Sequence, residues 1–184
     1  MSERIRLNNV RVSYLNVFKA RAMSAEQEPK FSAQIILPKD HAQVKEFKEK
    51  ILKVAKERFP KIVTGNKIPS KLKIPLRDGD AEFDEEEDLE VYGGCYFFNS
   101  NNKQRPTALN RDRSQIAEED SILYSGCYCN VIVDLYGYDT AGNKGVGAAL
   151  MGVQFLRDGE ALGGRGVSAN DFDEVEEDDD DDII

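Results

Sequence analysis

The sequence predicts a mainly β chain with one long helix, an α+β fold closed into a single largely antiparallel barrel. Three observations carry this. Alternating apolar segments stand before and after one stretch of helical periodicity, instead of alternating with several. Those segments are rich in β-branched and aromatic residues, the types that fit a pleated, half-buried surface. A chain of 184 residues with 40% hydrophobic content supplies one ordinary core and is too short for two full domains.

Residues 5–14 form the first predicted strand, with Asn8 and Asn9 interrupting the apolar pattern and marking a bulge. The second spans 31–37: Phe31, Ala33, Ile35 and Leu37 share one face, Ser32 and Gln34 the other, and Pro38 ends the pairing. Asp40 with Gln43 reads as an N-cap and its capping-box partner. Val44, Phe47, Ile51, Val54 and Ala55 then recur at helical spacing until Pro60. The polar side of that helix carries Lys45, Lys48, Lys50, Lys53 and Lys56, read first as a solvated face. Residues 61–90 hold Gly65, Pro69, Pro75, Gly79 and an acidic run, the pattern of a long excursion. Strands return at 91–98, broken by Gly93 and Gly94, at 126–138 and at 147–156, with a glycine-rich hairpin turn over 142–147. About five strands and one helix are closed most economically as an OB-like five-stranded antiparallel Greek-key barrel with elaborations.

Charge divides the chain more sharply than its net value of −9 suggests. Residues 168–184 contain ten of the 34 acids and no base, so the remaining 24 acids face all 25 Lys and Arg. Residues 1–77 hold 18 bases against 7 acids, whereas 78–90 hold nine acids and no base. The expected organisation is a barrel domain over 1–167 and a disordered acidic tail over 168–184, whose few apolar residues cannot order it. No apolar run approaches 18 residues and the N-terminal stretch has no apolar signal region, so a cytoplasmic location without membrane contact is expected. The odd set Cys95, Cys127 and Cys129 with the distant His41 fits neither a disulfide framework nor a zinc site. No cofactor, metal or catalytic residue is expected. Residues 142–147 lack the spacing of a phosphate-binding loop, His41 has no nucleophile to serve, and the consecutive acids of 84–88 point in different directions.

Binding chemistry is concentrated in three places. Tyr14, Phe18, Lys19, Arg21, Lys30 and Phe31 border a loop over 22–29. Phe97 and Phe98 lead into a polar loop in which Lys103, Arg105, Arg111 and Arg113 meet one acid, Asp112. In the 126–138 strand, Cys127, Cys129, Val131, Val133 and Leu135 make a core face, and Tyr128 and Tyr136 project from the other. Cations track phosphates while aromatic faces accept any unpaired base, so this interleaving suits single-stranded nucleic acid. Each tyrosine has an equal claim to packing.

The strand bearing Tyr14 and Phe18 before a basic loop, the Tyr124-Ser125-Gly126 turn, the Lys144-Gly145-Val146 turn before Leu150-Met151-Gly152-Val153-Gln154, and the closing acidic segment together resemble the bacteriophage single-stranded DNA-binding proteins. The resemblance covers residues 1 to about 165 as the barrel, and the tail separately. It implies an OB fold, without enzymatic activity, that coats single-stranded DNA in phage replication and recombination. It also implies an acidic tail that contacts replication proteins and competes with DNA for a basic groove. On this reading the DNA-binding residues are Tyr14, Phe18, Lys19, Arg21, Lys30, Phe97, Lys103, Arg105, Arg111, Tyr128 and Tyr136. The tail residues Asp178, Asp179, Asp180, Asp181, Asp182, Ile183 and Ile184 are expected to engage a polymerase or helicase; they stand where related tails commonly end in an aromatic residue. A homodimer is left open. Two competing readings are an acidic DNA mimic or chaperone-like protein that binds a basic partner and, more weakly, a metal-dependent nuclease.

Overall fold

The computed structural model describes residues 2–22 and 24–162. The expected disordered tail over 168–184 lies outside the described residues. Five long strands form the barrel: β1 (Ser2–Arg21), β2 (Lys30–Pro38), β4 (Cys95–Asn102), β6 (Tyr128–Thr140) and β7 (Asn143–Arg157). Two short strands, β3 (Arg77–Asp78) and β5 (Thr107–Leu109), extend its edges. The order β2-β1-β6-β7 continues through β4, which pairs with β2 on one side and with β7 on the other, closing the sheet. Closure is made by a single parallel bridge, Asn101 to Ala149. Side chains reinforce this seam, with Ser100 Oγ donating to Ala148 O at 3.0 Å and Asn102 Nδ2 to Leu150 O at 3.1 Å.

β1 serves two partners. Its first half pairs with β6 and its second with β2, and the register shifts between Leu7 and Val10, at the expected Asn8–Asn9 bulge, where Asn9 has φ 53°. The strand runs seven residues beyond its expected end because the polar residues after Tyr14 still find backbone partners on β2. Inside the barrel, Leu7, Val10, Val12, Ile35, Leu37, Phe98 and the whole predicted face of β6 are fully buried. The Cys127 and Cys129 sulfurs lie 3.7 Å apart in this core; that contact, followed by burial, pushes the Cys129 thiol up and keeps it protonated.

Helix α1 (Val44–Arg58) closes one end of the barrel through Phe47, Ile51, Val54 and Ala55, with the Phe47 ring 4.9 Å from that of Phe98. Its start differs from the expected capping box. The cap residue is Gln43, whose backbone N–H donates to His41 Nδ1. The Gln43 side chain accepts from Asn8 N and donates to Arg6 O, so it fastens the helix to the β1 bulge instead of capping it. The lysine face is solvated in part only. Lys50 and Lys53 pair with Glu3, and Lys48 donates to the Tyr96 hydroxyl while lying over its ring.

The acidic run is ordered, contrary to its reading as a simple excursion. It forms α2 (Gly79–Glu82) and α3 (Glu86–Tyr92), so the expected strand over 91–98 begins only at Cys95, after Gly94 takes φ 67°. Phe83 and Tyr92 stack at 4.5 Å and, with Ile36 and Phe97, make a second apolar cluster on the outside of the barrel. Burial of the apolar residues holds the segment down. Lys39 fixes its start, at 2.7 Å from both an Asp78 and an Asp80 carboxylate oxygen. The Lys39 hydrogen bonds hold both carboxyls below the usual range, with the Gly94 N–H adding to the effect at Asp80.

Since both folded values are depressed, this tether is complete above the ordinary Asp value of 3.8 and is lost as pH falls through the lower folded values. Carboxyl titration by NMR should place Asp78 and Asp80 below an ordinary Asp, and Lys39→Met should return them towards it. Unchanged titration in the variant would remove Lys39 as the cause. Among the described residues, no helix is long and apolar enough to cross a membrane, and no three His, Cys, Asp or Glu side chains gather as metal ligands.

Candidate nucleic-acid interface

One rim of the barrel gathers six of the residues singled out from sequence. The end of β1, the start of β2 and the loop after β4 meet there, because Arg21 pairs with Lys30 and Phe31 with Asn102. The Arg105 guanidinium lies 5.6 Å from the centre of the half-buried Phe18 ring. Lys103 reaches Glu28 at 2.9 Å and Lys19 reaches Glu118 at 3.7 Å. All four of these charged side chains are more than half exposed, so the ion pairs are weak and a phosphate can replace the carboxylate. Arg21 and Lys30 stand directly opposite each other across an antiparallel pair. Like charges so placed repel, and an anion between them relieves the repulsion.

A second group lies along the outer face of β1. Tyr14 is 69% exposed and held at φ 47°, a conformation bulky residues avoid, with its backbone N–H donating to Ser125 Oγ at 3.0 Å. The turn that follows continues to Tyr128, over whose ring Arg157 sits at 3.7 Å and Arg11 at 5.8 Å. Arg11 is fixed by donating to Gly126 O and Glu160 O. Gly126 is required here: φ is 112°, and a Cβ would collide with the Glu160 carbonyl. Between this group and α3 runs a polar strip on β1, β2 and β4. Asn16 donates to Ser32 at 3.2 Å, and Gln34 Oε1 accepts from the Tyr92 hydroxyl at 2.6 Å. Burial raises the Tyr92 phenol, which remains a donor. Asn99 and Asn101 are exposed beside it.

Three candidates fall elsewhere. Phe97 is 1% exposed, packed under Phe83 and Tyr92 with the Arg77 guanidinium 4.8 Å away, so its ring has no free face for a base. Its place in an aromatic strand did not reveal that the acidic segment folds over it. Tyr136 lies eight residues beyond Tyr128, about 26 Å along the strand. Its ring rests on Gly147, where a Cβ would come within 2.8 Å. Arg111 is exposed beside a depression formed with Tyr124, Phe155 and Asp158, outside the six that meet at the rim. Arg11 and Arg157 were not singled out; both are legible only once the pairing of Tyr128 with Arg11 and Arg157 is known.

A closed five-stranded Greek-key barrel presenting aromatic rings between cations on its rim and outer face belongs to the OB class. Within that class the chain belongs to the family described as "Enterobacter phage Enc34, ssDNA-binding protein", whose model matches residues 3–184. It is 36% identical over 183 residues, 94% of either chain, to "Putative protein p50" of Acyrthosiphon pisum secondary endosymbiont phage 1. Among solved structures it is similar to the single-stranded DNA-binding protein from bacteriophage Enc34 in complex with ssDNA, with 26% identity, TM-score 0.72, and coverage of 86% of this chain and 89% of that one. The single-stranded DNA-binding protein gp2.5 of bacteriophage T7 shares the fold, at 12% identity, TM-score 0.64 and coverage of 90% and 98%.

Proposed function

We propose that this protein binds single-stranded DNA with little regard to sequence, coating and protecting unpaired strands in phage replication and recombination within the host cytoplasm. The observation that carries this reading is the rim where Phe18, Lys19, Arg21, Lys30, Lys103 and Arg105 converge although they come from three separated stretches of chain. Tyr14 and Tyr128 continue it as stacking surfaces, and the cations neutralise phosphate. Family membership and the DNA complex of the bacteriophage Enc34 protein support the same reading. The role is that of a binding protein, not a catalyst. The acidic-mimic alternative, which rests on residues 85–88 and the tail, has less support, because the family and the solved DNA complex of its Enc34 member both favour nucleic acid.

The acidic segment 168–184 is the proposed contact for replication proteins such as a polymerase or helicase, and an internal competitor of DNA at the rim. Tethering ten acids to a body whose first 77 residues carry a net charge of +11 makes the competition intramolecular. Titration of a labelled oligonucleotide at several salt concentrations, with duplex as control, tests both parts. Affinity should fall as salt rises, each neutralised phosphate adding about −0.7 to the log–log slope. Deleting 168–184 should tighten binding, most at low ionic strength where the tail's own contact is least screened. A flat salt response sinks the DNA reading; equal affinities at low salt sink the competitor.

A further inference from the structure

We propose that the apolar groove between α1 and the 61–76 segment is the docking site for the Ile183-Ile184 tip of this chain's own acidic segment. The proposal rests on the reading of 168–184 as the interaction tail. The groove, about 850 Å³, is distinct from the rim and from the outer face of β1. Leu52, Ile68, Ile74 and Leu76 form its apolar lining, and Ile74 is 42% exposed although large and apolar. Exposed apolar surface of this kind in a concave site marks a place for an apolar ligand.

Charge says which ligand. Lys45, Lys48 and Lys67 also line the groove, with Asp40 and Glu49 as its carboxylates. Among the described residues, no carboxylate lies within ion-pair distance of Lys45, Lys48 or Lys67. An apolar lining edged by lysines without a carboxylate partner among the described residues fits a segment that is apolar at its tip and acidic immediately before it. Five consecutive aspartates followed by two isoleucines have that composition.

Position agrees. Leu162, the last described residue, packs against the Ile36, Tyr92 and Phe97 cluster. Phe97 pairs with Arg77, and Arg77 follows Leu76 of the groove. The Leu162 N–H donates to Ser125 O, so the chain leaves the described body there and must reach the groove from that point. The 21 residues from 163 to 183 can span up to about 70 Å when extended, against a radius of gyration of about 15 Å for a domain of this length. Docking would hold the tip against the body when no partner is bound, and a partner would have to extract it.

Methyl-labelled NMR of the full chain tests this without DNA. Cross-peaks are expected between the Ile183 and Ile184 methyls and those of Leu52, Ile68 and Leu76, persisting on dilution. Ile74→Glu places a carboxylate at a partly exposed position, so the barrel methyl spectrum should be retained. In that variant the tip cross-peaks should vanish and the Ile183 and Ile184 methyls should move to the positions of unstructured isoleucine. Absence of the cross-peaks in the natural chain, or their survival in Ile74→Glu, overturns the proposal. Loss on dilution assigns the groove to the tail of a second copy and overturns docking within the chain. The oligonucleotide titration reports the DNA reading separately, so either result can fail while the other stands.

Discussion

Phe97→Ala is expected to lower folding stability by about 3–5 kcal/mol, the range for truncating a buried phenylalanine. The ring is 1% exposed, and Phe83, Tyr92 and Ile36 pack around it. Its loss leaves a cavity beneath α2 and α3, which have little other apolar anchorage. Denaturant unfolding measures the loss directly. Oligonucleotide affinity per folded molecule should be unchanged, since no face of the ring reaches solvent. A variant that kept its stability but lost DNA would return Phe97 to the interface and displace α2 and α3 from the outer face in solution.

The largest effect on binding is expected from Tyr128→Leu and Tyr14→Leu. Leucine keeps apolar bulk but removes the π-face, so each should cost about 1–3 kcal/mol of oligonucleotide affinity, roughly 5- to 150-fold in Kd. Thermal stability should change little, because Tyr14 is 69% exposed and Tyr128 is half-buried on the outside of the barrel. Tyr128→Leu also removes the surface on which Arg157 and Arg11 rest, and freed guanidiniums would pay more side-chain entropy on meeting a phosphate. Tyr136→Leu is the control: it is far along the same strand and should leave affinity as it was. If the Tyr14 and Tyr128 variants bind normally while melting early, those rings belong to packing.

The barrel was legible because its strands obey a local rule. Cys127, Cys129, Val131, Val133 and Leu135 alternate without exception, and all five are fully buried. The rim was legible as composition, since Lys103 and Arg105 or Lys19 and Arg21 sit close in sequence. That the two clusters share one place followed only from the pairing of β2 with β4. What stayed hidden depended on contacts between distant segments. Phe83 lies among nine acids and Val91 and Tyr92 directly follow the last of them, and their shared face appears only when α2 and α3 fold onto Ile36 and Phe97. Asp40 satisfied the spacing rule for a helix cap, yet the Asn8–Asn9 bulge offered Gln43 better partners. Tyr128 looked like a lone ring until β1 and β7 brought an arginine from either side.

The double partnership of β1 also governs how the molecule is made. Residues 2–11 must wait for β6, which begins at Tyr128, so 106 residues separate the end of β1 from its later partner. At about 5–20 residues per second of synthesis, that interval is about 5–20 s. Throughout it the β1–β2 hairpin presents an unpaired edge bearing Ile5, Leu7 and Val10, all destined for the core. Such an edge is a template for other chains. Arg4 and Arg6 alternate with Ile5 and Leu7, and charges so placed on an exposed strand disfavour its pairing with a neighbour before the barrel can close.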